Sequence, residues 1–182
     1  MANADRQLRV LFLCTGNSCR SQMAEGWARA LKSAQIDASS AGTHPHGLNP
    51  LAVRAMAEAG VDISRHTSKR AEDLGGRFDV VVTVCDSAHE SCLVMPGARV
   101  VHVGFDDPPR LAAGARSDDE AMPHYRRVRD EIRAFIQTLP GSLWARGVGT
   151  GEPAPPSAGK TVDPRGGPRS GHDRSPHLGG VT

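Results

Sequence analysis

The sequence predicts an α/β fold in three layers, in which a four-stranded parallel sheet carries helices on both faces. Short apolar and β-branched segments alternate along the chain with longer segments whose apolar residues recur at helical spacing. Strands that alternate with helices favour a parallel sheet, because each helix returns the chain to the start of the next strand. In such sheets, ligands bind beyond the carboxyl ends of the strands.

Each predicted element has its own basis in the sequence. The strands are β-branched or apolar runs bounded by polar residues, namely Leu8–Leu13, Ile36–Ala41, Phe78–Val84 and Arg99–Phe105. The helices are Gln22–Gln35, a segment opened by Asn49-Pro50 and ended by Gly60, and about Glu120–Leu139. The last helix is predicted to bury a stripe formed by Tyr125, Val128, Ile132, Phe135, Ile136 and Leu139.

The composition changes near Arg146. Residues 147–182 include 15 Gly or Pro residues and few large aliphatic ones. Such a segment buries too little apolar surface to offset the entropy that it would lose on ordering. We therefore expect one folded domain at residues 1–146 and a Gly/Pro-rich disordered tail at 147–182.

Charge and hydropathy exclude several classes of protein. The net charge of +2, from 22 basic and 20 acidic residues, gives no reason to expect a nucleic-acid partner. The first apolar run is too short for a membrane span or for the core of a signal peptide, so we expect a cytoplasmic protein without membrane association. Four cysteines in that compartment are more often catalytic or metal-binding than part of a disulfide framework.

A loop that begins at Cys14 follows a predicted strand and precedes a helix. Its small polar residues let backbone N–H groups turn inward and form a nest for a tetrahedral anion, towards which the helix directs its positive end. These dipoles and Arg20 favour the thiolate of Cys14, and the planar Arg20 guanidinium binds two oxygens at once. The alternative is a strand-to-helix turn with a buried structural cysteine. The predicted anion-binding residues are Thr15, Gly16, Asn17, Ser18, Cys19, Arg20 and Ser21.

Three local expectations accompany this loop. Ser21 is placed to hydrogen-bond the Cys14 sulfur. Gly16 and Asn17 tolerate the left-handed backbone that a tight loop needs. Cys85 and Asp107 also follow predicted strands, so we expect them on the same edge of the sheet as Cys14.

The segment Cys14–Gly26 resembles the signature of the thioredoxin-coupled arsenate reductases, which share the fold of low-molecular-weight tyrosine phosphatases. The resemblance runs from about Leu8 to Phe135 and excludes the tail. Further matching segments are Ser40–Gly42, His46-Gly47, Asn49-Pro50, His66–Ser68, Gly104–Pro108 and Arg127–Ile132. The resemblance implies an enzyme that reduces arsenate to arsenite in arsenic detoxification.

The anion loop alone does not separate a reductase from a phosphatase, because arsenate and phosphate are nearly identical tetrahedral anions. Reducing As(V) to As(III) takes two electrons, so a second thiol must attack the first. Cys85 and Cys92 supply further thiols at the spacing of the reductases. The alternative function is that of a low-molecular-weight protein tyrosine phosphatase with vestigial thiols. Zinc is a weaker alternative, since no cysteine pair has Cys-x2-Cys spacing, and we expect no metal and no cofactor.

The resemblance also implies a catalytic cycle. Cys14 attacks arsenate, for which phosphate or sulfate are mimics, while Arg20 holds the anion and Asp107 protonates the departing oxygen. A Cys14–Cys85 disulfide then forms as arsenite leaves. Cys92 next attacks Cys85, and thioredoxin reduces the resulting Cys85–Cys92 disulfide. Another thiol system, such as mycothiol, is the alternative reductant, and we expect a monomer.

The second thiol pair carries a geometric expectation. If residues 85–92 are helical, seven steps of ~1.5 Å place the Cα atoms of Cys85 and Cys92 roughly 10 Å apart. A disulfide needs a Cα separation of about 4.4–6.8 Å. The segment must therefore partly unwind when these two cysteines join. Cys19 is expected to be dispensable for electron flow.

One position departs from the pattern of the resembling family. Some relatives hold a potassium ion with positions that match Asn17, Glu25, Ser40 and an acidic residue, and this last position is Lys69 here. Because a cation beside an ammonium is disfavoured, we predict no potassium site, with the Lys69 amine in its place. His46 and His66 also match family positions and are assigned structural roles.

Overall fold

A computed structural model of the chain describes residues 6–87 and 97–145. Cys92 and the predicted tail at 147–182 lie outside the described residues, and so does the predicted domain boundary at residue 146. These expectations therefore stay predictions.

Four parallel strands form one sheet, as the sequence predicts. They are β1 (Leu8–Cys14), β2 (Ile36–Gly42), β3 (Val80–Thr83) and β4 (Arg99–His102), in the order β2-β1-β3-β4. Strand β1 pairs with β2 along its whole length and with β3 on its other side. Because β1 lies inside the sheet, its residues from Val10 onwards are buried, which explains its continuous apolar run.

The last two strands are shorter than predicted. The ladder between β3 and β4 joins Val80 to Arg99 and ends where Thr83 meets His102, although the apolar pattern continues on both strands. Two single backbone bonds extend the pairing, from Val103 N–H to Thr83 and from Phe105 N–H to Val84. The predicted strand ends were wrong because hydropathy reports burial, which continues after the ladder stops.

Five helices are described, at α1 (Arg20–Lys32), α2 (Pro50–Glu58), α3 (Pro108–Leu111), α4 (Asp118–Gln137) and α5 (Ser142–Ala145). Helix α1 begins two residues before its predicted start, directly at the end of the anion loop. Helix α2 begins as predicted, because the Asn49 side chain accepts hydrogen bonds from two backbone N–H groups of its first turn. None of the described helices is long and apolar enough to cross a membrane.

The core lies between the sheet and the two long helices α1 and α4. Met23, Ala24 and Trp27 of α1 are buried against it. All six residues of the predicted stripe are buried, and five of them belong to α4. Leu139 lies two residues beyond the end of the helix, so the predicted end at Leu139 was wrong. This packing holds the start of α1 rigidly against the end of β1, which is where the anion loop lies.

Asp79 forms hydrogen bonds at the amino-terminal edge of the sheet. Its carboxylate accepts hydrogen bonds from Arg6 at 2.7 Å and from the backbone N–H of Arg9 at 2.8 Å. The bond from Arg6 is the main reason why the pKa of Asp79 lies below its ordinary value of 3.8. A lowered carboxyl pKa stabilises the fold above the ordinary value, and this contribution is lost as the pH falls through the lowered pKa.

We expect Asp79→Asn to lower the free energy of unfolding at pH 7 by about 0.5–1 kcal/mol, because Arg6 is exposed and the lost contacts are modest. The difference from wild type should shrink below pH 3.8. Urea unfolding at pH 7 and pH 3 measures both. Asp37→Asn is the control, since its 3.5 Å contact with Arg9 is exposed and should contribute little. Equal effects of the two substitutions would contradict the assignment.

Candidate active site

The predicted catalytic residues of the described chain lie at the carboxyl edge of the sheet. Strand β1 ends at Cys14, Cys85 follows β3 by two residues, and Asp107 follows β4 as the residue that precedes α3. The structure thus brings these three residues to one edge, as predicted.

The loop after Cys14 turns its carbonyl groups outward. Four of them accept hydrogen bonds from backbone N–H groups of residues 43–49, in the pairs Cys14–Thr43, Thr15–His44, Gly16–His46 and Ser18–Asn49. Since the N–H and C=O of a peptide unit point in opposite directions, the loop N–H groups are left facing its interior. Such a concave set of N–H groups is an anion nest.

Asn17 is the residue at which the loop bends back. Its φ of 44° is left-handed, as predicted, and its backbone N–H lies 3.1 Å from the Cys14 sulfur. Its side-chain amide donates to the hydroxyls of Ser21 and Ser40, both at 2.9 Å. Asn17 is fully buried, so this network fixes the loop before any anion binds.

The prediction of a left-handed Gly16 was wrong, and the glycine serves a different purpose. Among the described residues, the glycines with positive φ are Gly47, Gly60, Gly76 and Gly97. A Cβ on Gly16 would lie 2.1 Å from Nε2 of His46, so the imidazole covers the loop where a larger residue would stand. Any larger residue at position 16 would displace the exposed His46 side chain.

The Cys14 sulfur is buried and surrounded by donors. Its side chain is 3% exposed, and the Ser21 hydroxyl lies 3.0 Å from Sγ, which is the predicted contact. The Asn17 N–H contacts the same atom. Hydrogen bonds of this kind stabilise the thiolate, which is the nucleophilic form.

Arg20 links the anion loop to the segment after β4. Its guanidinium donates to the Phe105 carbonyl at 2.9 Å and contacts Asp107 Oδ1 at 2.9 Å. The side chains of Arg20 and Asp107 are 15% and 33% exposed, so the pair is largely screened from solvent. The Asp107 carboxylate thus contacts the edge of the guanidinium that faces it.

The neighbouring acid, Asp106, points elsewhere. It binds Arg127 at 2.8 Å, and this hydrogen bond is the main reason why the pKa of Asp106 lies below its ordinary value. Both acids line the cavity beside Cys85, but only Asp107 also lines the cavity at Cys14. Of the two acids, Asp107 is thus the one that faces the anion loop.

The second thiol lies beside the anion loop. Cys85 is buried, and its sulfur is 3.5 Å from the Thr15 hydroxyl. A cavity of about 560 Å³ is lined by Cys85, and another of about 360 Å³ is lined by Cys14. Thr15, Arg20 and Asp107 line both, so the two thiols open onto adjoining spaces.

Cys19 has a different environment, although it belongs to the same loop. It is 5% exposed and precedes the first residue of α1. Burial raises the pKa of the Cys19 thiol far above its ordinary value, an effect that the charge of Arg20 only partly offsets. A thiol that stays protonated is a poor nucleophile, which is consistent with the expected dispensability of Cys19 for electron flow.

A buried carboxylate lies behind the loop. Glu25 is 1% exposed, accepts a hydrogen bond from Ser40 and pairs with Arg29. The Lys69 ammonium lies 3.7 Å from the same carboxylate, and the Lys69 backbone N–H donates to the Asn17 side chain at 2.9 Å. Lys69 thus places a positive charge beside the network that holds the loop, where the sequence predicts it.

Gln22 and Ser68 support the loop in a way that the sequence reasoning missed. The buried Gln22 amide donates to both oxygens of Asn17 and to the Thr67 carbonyl, and Ser68 donates to the carbonyls of Gly16 and Asn17. Both residues belong to the matching segments, which was the available signal, but their hydrogen bonds could not be deduced from spacing. His66 lies 3.0 Å from Gln22, in a supporting position.

Comparison with known proteins agrees with this geometry. The family model described as low molecular weight phosphotyrosine protein phosphatase matches residues 9–145. An arsenate reductase of Halalkalibacterium halodurans is 48% identical over 132 residues, which cover 71% of this chain and 93% of the relative. The chain belongs to the arsenate reductases of this phosphatase family.

Solved structures of arsenate reductases share the fold. One, in a phosphate-binding state, is 28% identical with a TM-score of 0.60 and covers 75% of this chain and 99% of its own. The thioredoxin-dependent arsenate reductase of Corynebacterium glutamicum is 25% identical with a TM-score of 0.55, covering 79% of this chain and 65% of its own.

Within residues 6–87 and 97–145, no three His, Cys, Asp or Glu side chains cluster as metal ligands.

We expect Lys69→Met to lower the free energy of unfolding by about 1–2 kcal/mol, less than the cost of leaving a buried charge fully unpaired, because Glu25 keeps Arg29. Thermal unfolding of the wild type should be the same in KCl and NaCl of equal concentration. Lys69→Asp, which replaces the ammonium by an oxygen ligand, should unfold at a higher temperature in KCl than in NaCl. Lys32→Met is the control for loss of a lysine. Wild-type stabilisation by potassium would contradict the role assigned to Lys69.

Proposed function

We propose that the protein reduces arsenate to arsenite through Cys14, Cys85 and Cys92, and that thioredoxin restores the thiols. The observation that carries the proposal is the position of Cys85, a buried thiol whose cavity adjoins the anion loop. Reduction needs a second thiol at this place, whereas hydrolysis does not. Family membership supports the overall reaction.

Binding begins with an exchange of partners at Arg20. This guanidinium pairs with Asp107, so an oxyanion that binds to the same nitrogen displaces the carboxylate. The anion then accepts hydrogen bonds from the loop N–H groups and from Arg20. Displacement leaves Asp107 beside a bound anion, where like charges favour its protonated form. The exchange therefore prepares Asp107 to act as an acid.

The first chemical step forms a sulfur–arsenic bond. The Cys14 thiolate attacks As(V), and Asp107 donates its proton to the oxygen that leaves as water. Ser21 and the Asn17 N–H, both in contact with Cys14, hold the sulfur in place for the attack. Arsenic stays in the +5 state in this adduct.

The second step carries the electrons. The Cys85 thiolate attacks the Cys14 sulfur, and the sulfur–arsenic bond breaks with its electron pair remaining on arsenic. Arsenic becomes As(III) and leaves as arsenite, while the two sulfurs form the Cys14–Cys85 disulfide. The Thr15 hydroxyl, 3.5 Å from the Cys85 sulfur, is placed to donate a hydrogen bond to this thiolate.

The remaining steps reset the site. Cys92 attacks Cys85, which releases the Cys14 thiolate and leaves a Cys85–Cys92 disulfide that a dithiol protein reduces. Thioredoxin is proposed as this protein because the Corynebacterium glutamicum relative depends on it. A cycle that requires reduced thiols fits a cytoplasmic location, because thiols are kept reduced there.

Replacing Cys92 by Ser should stop the cycle after one turnover, because the Cys14–Cys85 disulfide can no longer be passed on. Arsenate-dependent NADPH consumption with thioredoxin and its reductase measures the number of turnovers, and mass spectrometry identifies the trapped disulfide. Cys19→Ser is the matched control and should still turn over repeatedly. Repeated turnover by Cys92→Ser would exclude the relay.

Asp107→Asn should affect anion binding and catalysis in opposite directions. Removing the carboxylate frees Arg20, so phosphate should inhibit about threefold to tenfold more strongly. Loss of the proton donor should lower turnover by about 10²-fold or more.

Asp106→Asn is the matched control, because Asp106 pairs with Arg127 and does not line the cavity at Cys14. Phosphate inhibition constants and single-turnover rates measure the two effects. A weaker affinity of Asp107→Asn for phosphate, or equal losses of rate in both variants, would refute the exchange of partners.

A further inference from the structure

A chain of three polar side chains lies next to Cys85. The Thr83 hydroxyl is 2.9 Å from Nδ1 of His102, and Nε2 of His102 is 3.2 Å from Oδ1 of Asp86. Thr83 is fully buried, whereas the side chains of His102 and Asp86 are 31% and 88% exposed. The chain therefore leads from the interior of the sheet to the residue directly after Cys85.

The donor and acceptor roles along this chain are consistent in both charge states of the histidine. When the Thr83 hydroxyl donates to Nδ1, the ring proton is on Nε2, which faces Asp86. When both nitrogens carry a proton, Thr83 accepts from Nδ1 and the Asp86 carboxylate faces a cation. The 3.2 Å contact between His102 and Asp86 is therefore favourable in either form of the ring.

The backbone before Cys85 is held by the sheet. The Val84 N–H donates to the Leu13 carbonyl, and the Val84 carbonyl accepts from Phe105. On the other side of Cys85, Asp86 contacts His102 of β4. A Cβ on Gly104 would lie 3.3 Å from His102 Nε2 and 3.4 Å from Asp86 Oδ1, so the backbone after β4 lies next to this pair.

We propose that His102 and Asp86 are positioning residues, whose contact holds the backbone after Cys85 so that its sulfur stays buried beside Thr15. This role rests on the proposed function, in which Cys85 must attack the Cys14 sulfur. An exposed ion pair contributes little to the free energy of unfolding. We therefore expect the loss of this contact to change the reactivity of Cys85 and to leave the stability of the fold nearly unchanged. A contact near the surface also separates easily, as the later movement of Cys85 towards Cys92 requires.

The first measurement needs no arsenate. In a chain that carries Cys14→Ser, Cys19→Ser and Cys92→Ser, Cys85 is the only thiol. We expect Asp86→Ala and His102→Ala to accelerate its alkylation by iodoacetamide by up to about fivefold, which is the upper end of what the loss of an exposed ion pair allows.

Two variants serve as controls for this measurement. Asp86→Asn keeps an acceptor for Nε2 and should restore slow alkylation. Asp119→Ala removes an equally exposed ion pair, with Arg54, far from the thiols in sequence and should change nothing. Alkylation of Asp86→Ala and His102→Ala at the rate of Asp119→Ala would overturn the proposal.

The second measurement tests the consequence for the reaction. In a Cys92→Ser background, the rate at which one equivalent of arsenate produces the Cys14–Cys85 disulfide should fall about fivefold in Asp86→Ala, because small misplacements of reacting groups cost rate. Phosphate affinity should stay unchanged. A purely structural role would lower the rate of disulfide formation and the phosphate affinity together, or would change neither. An unchanged rate of disulfide formation would refute the positioning role.

The two measurements separate this inference from the proposed function. If the parent chain forms no Cys14–Cys85 disulfide with arsenate, the proposed function fails, and the alkylation rates still decide whether His102 and Asp86 hold Cys85. If the disulfide forms at the same rate in all variants, the relay stands and the positioning role is wrong. Asp86→Ala alone is sufficient for both measurements, because the side chain of Asp86 is largely exposed and its removal should not disturb folding.

Discussion

The site depends on one backbone constraint, which is that the loop after Cys14 must turn its N–H groups inward while its carbonyls are satisfied elsewhere. A buried carbonyl without a partner is costly, so the loop is stable only because residues 43–49 and Ser68 supply donors on its outer side. Asn17 accepts a left-handed backbone at the bend, and its side chain is held by Ser21 and Ser40. The binding site is thus formed in advance, and an anion gains affinity because little has to be ordered when it binds.

Two thiols of this loop, equally buried, differ in their surroundings. Cys14 has hydrogen-bond donors beside its sulfur, whereas burial raises the pKa of Cys19. Arg20 contacts Asp107, and in the proposed mechanism it also binds the anion, so that binding of the substrate is coupled to release of the acid. The same guanidinium also binds the Phe105 carbonyl, so that the acid-bearing segment is tied to the loop.

Much of the fold follows from local patterns, and where it does not, the cause is physical. The stripe of α4 and the cap at Asn49 were predicted because helix periodicity and capping act over a few residues. The ends of β3 and β4 were misjudged, since Val84 and Val103 are buried but lie beyond the ladder. The site was predicted less completely, because support from Gln22 crosses between segments that are distant in the chain.

The type of chemistry could be read from the order of residues along the chain. Cys14 and Arg20 on a loop between a strand and a helix indicate an anion site with a thiol nucleophile, and the family resemblance adds Asp107 as the acid. The contacts of Cys85 with Thr15, and of the His46 imidazole with the loop at Gly16, became visible only in the folded structure. Such facts depend on distances between segments that are far apart in the chain, and spacing along a sequence carries no such distances.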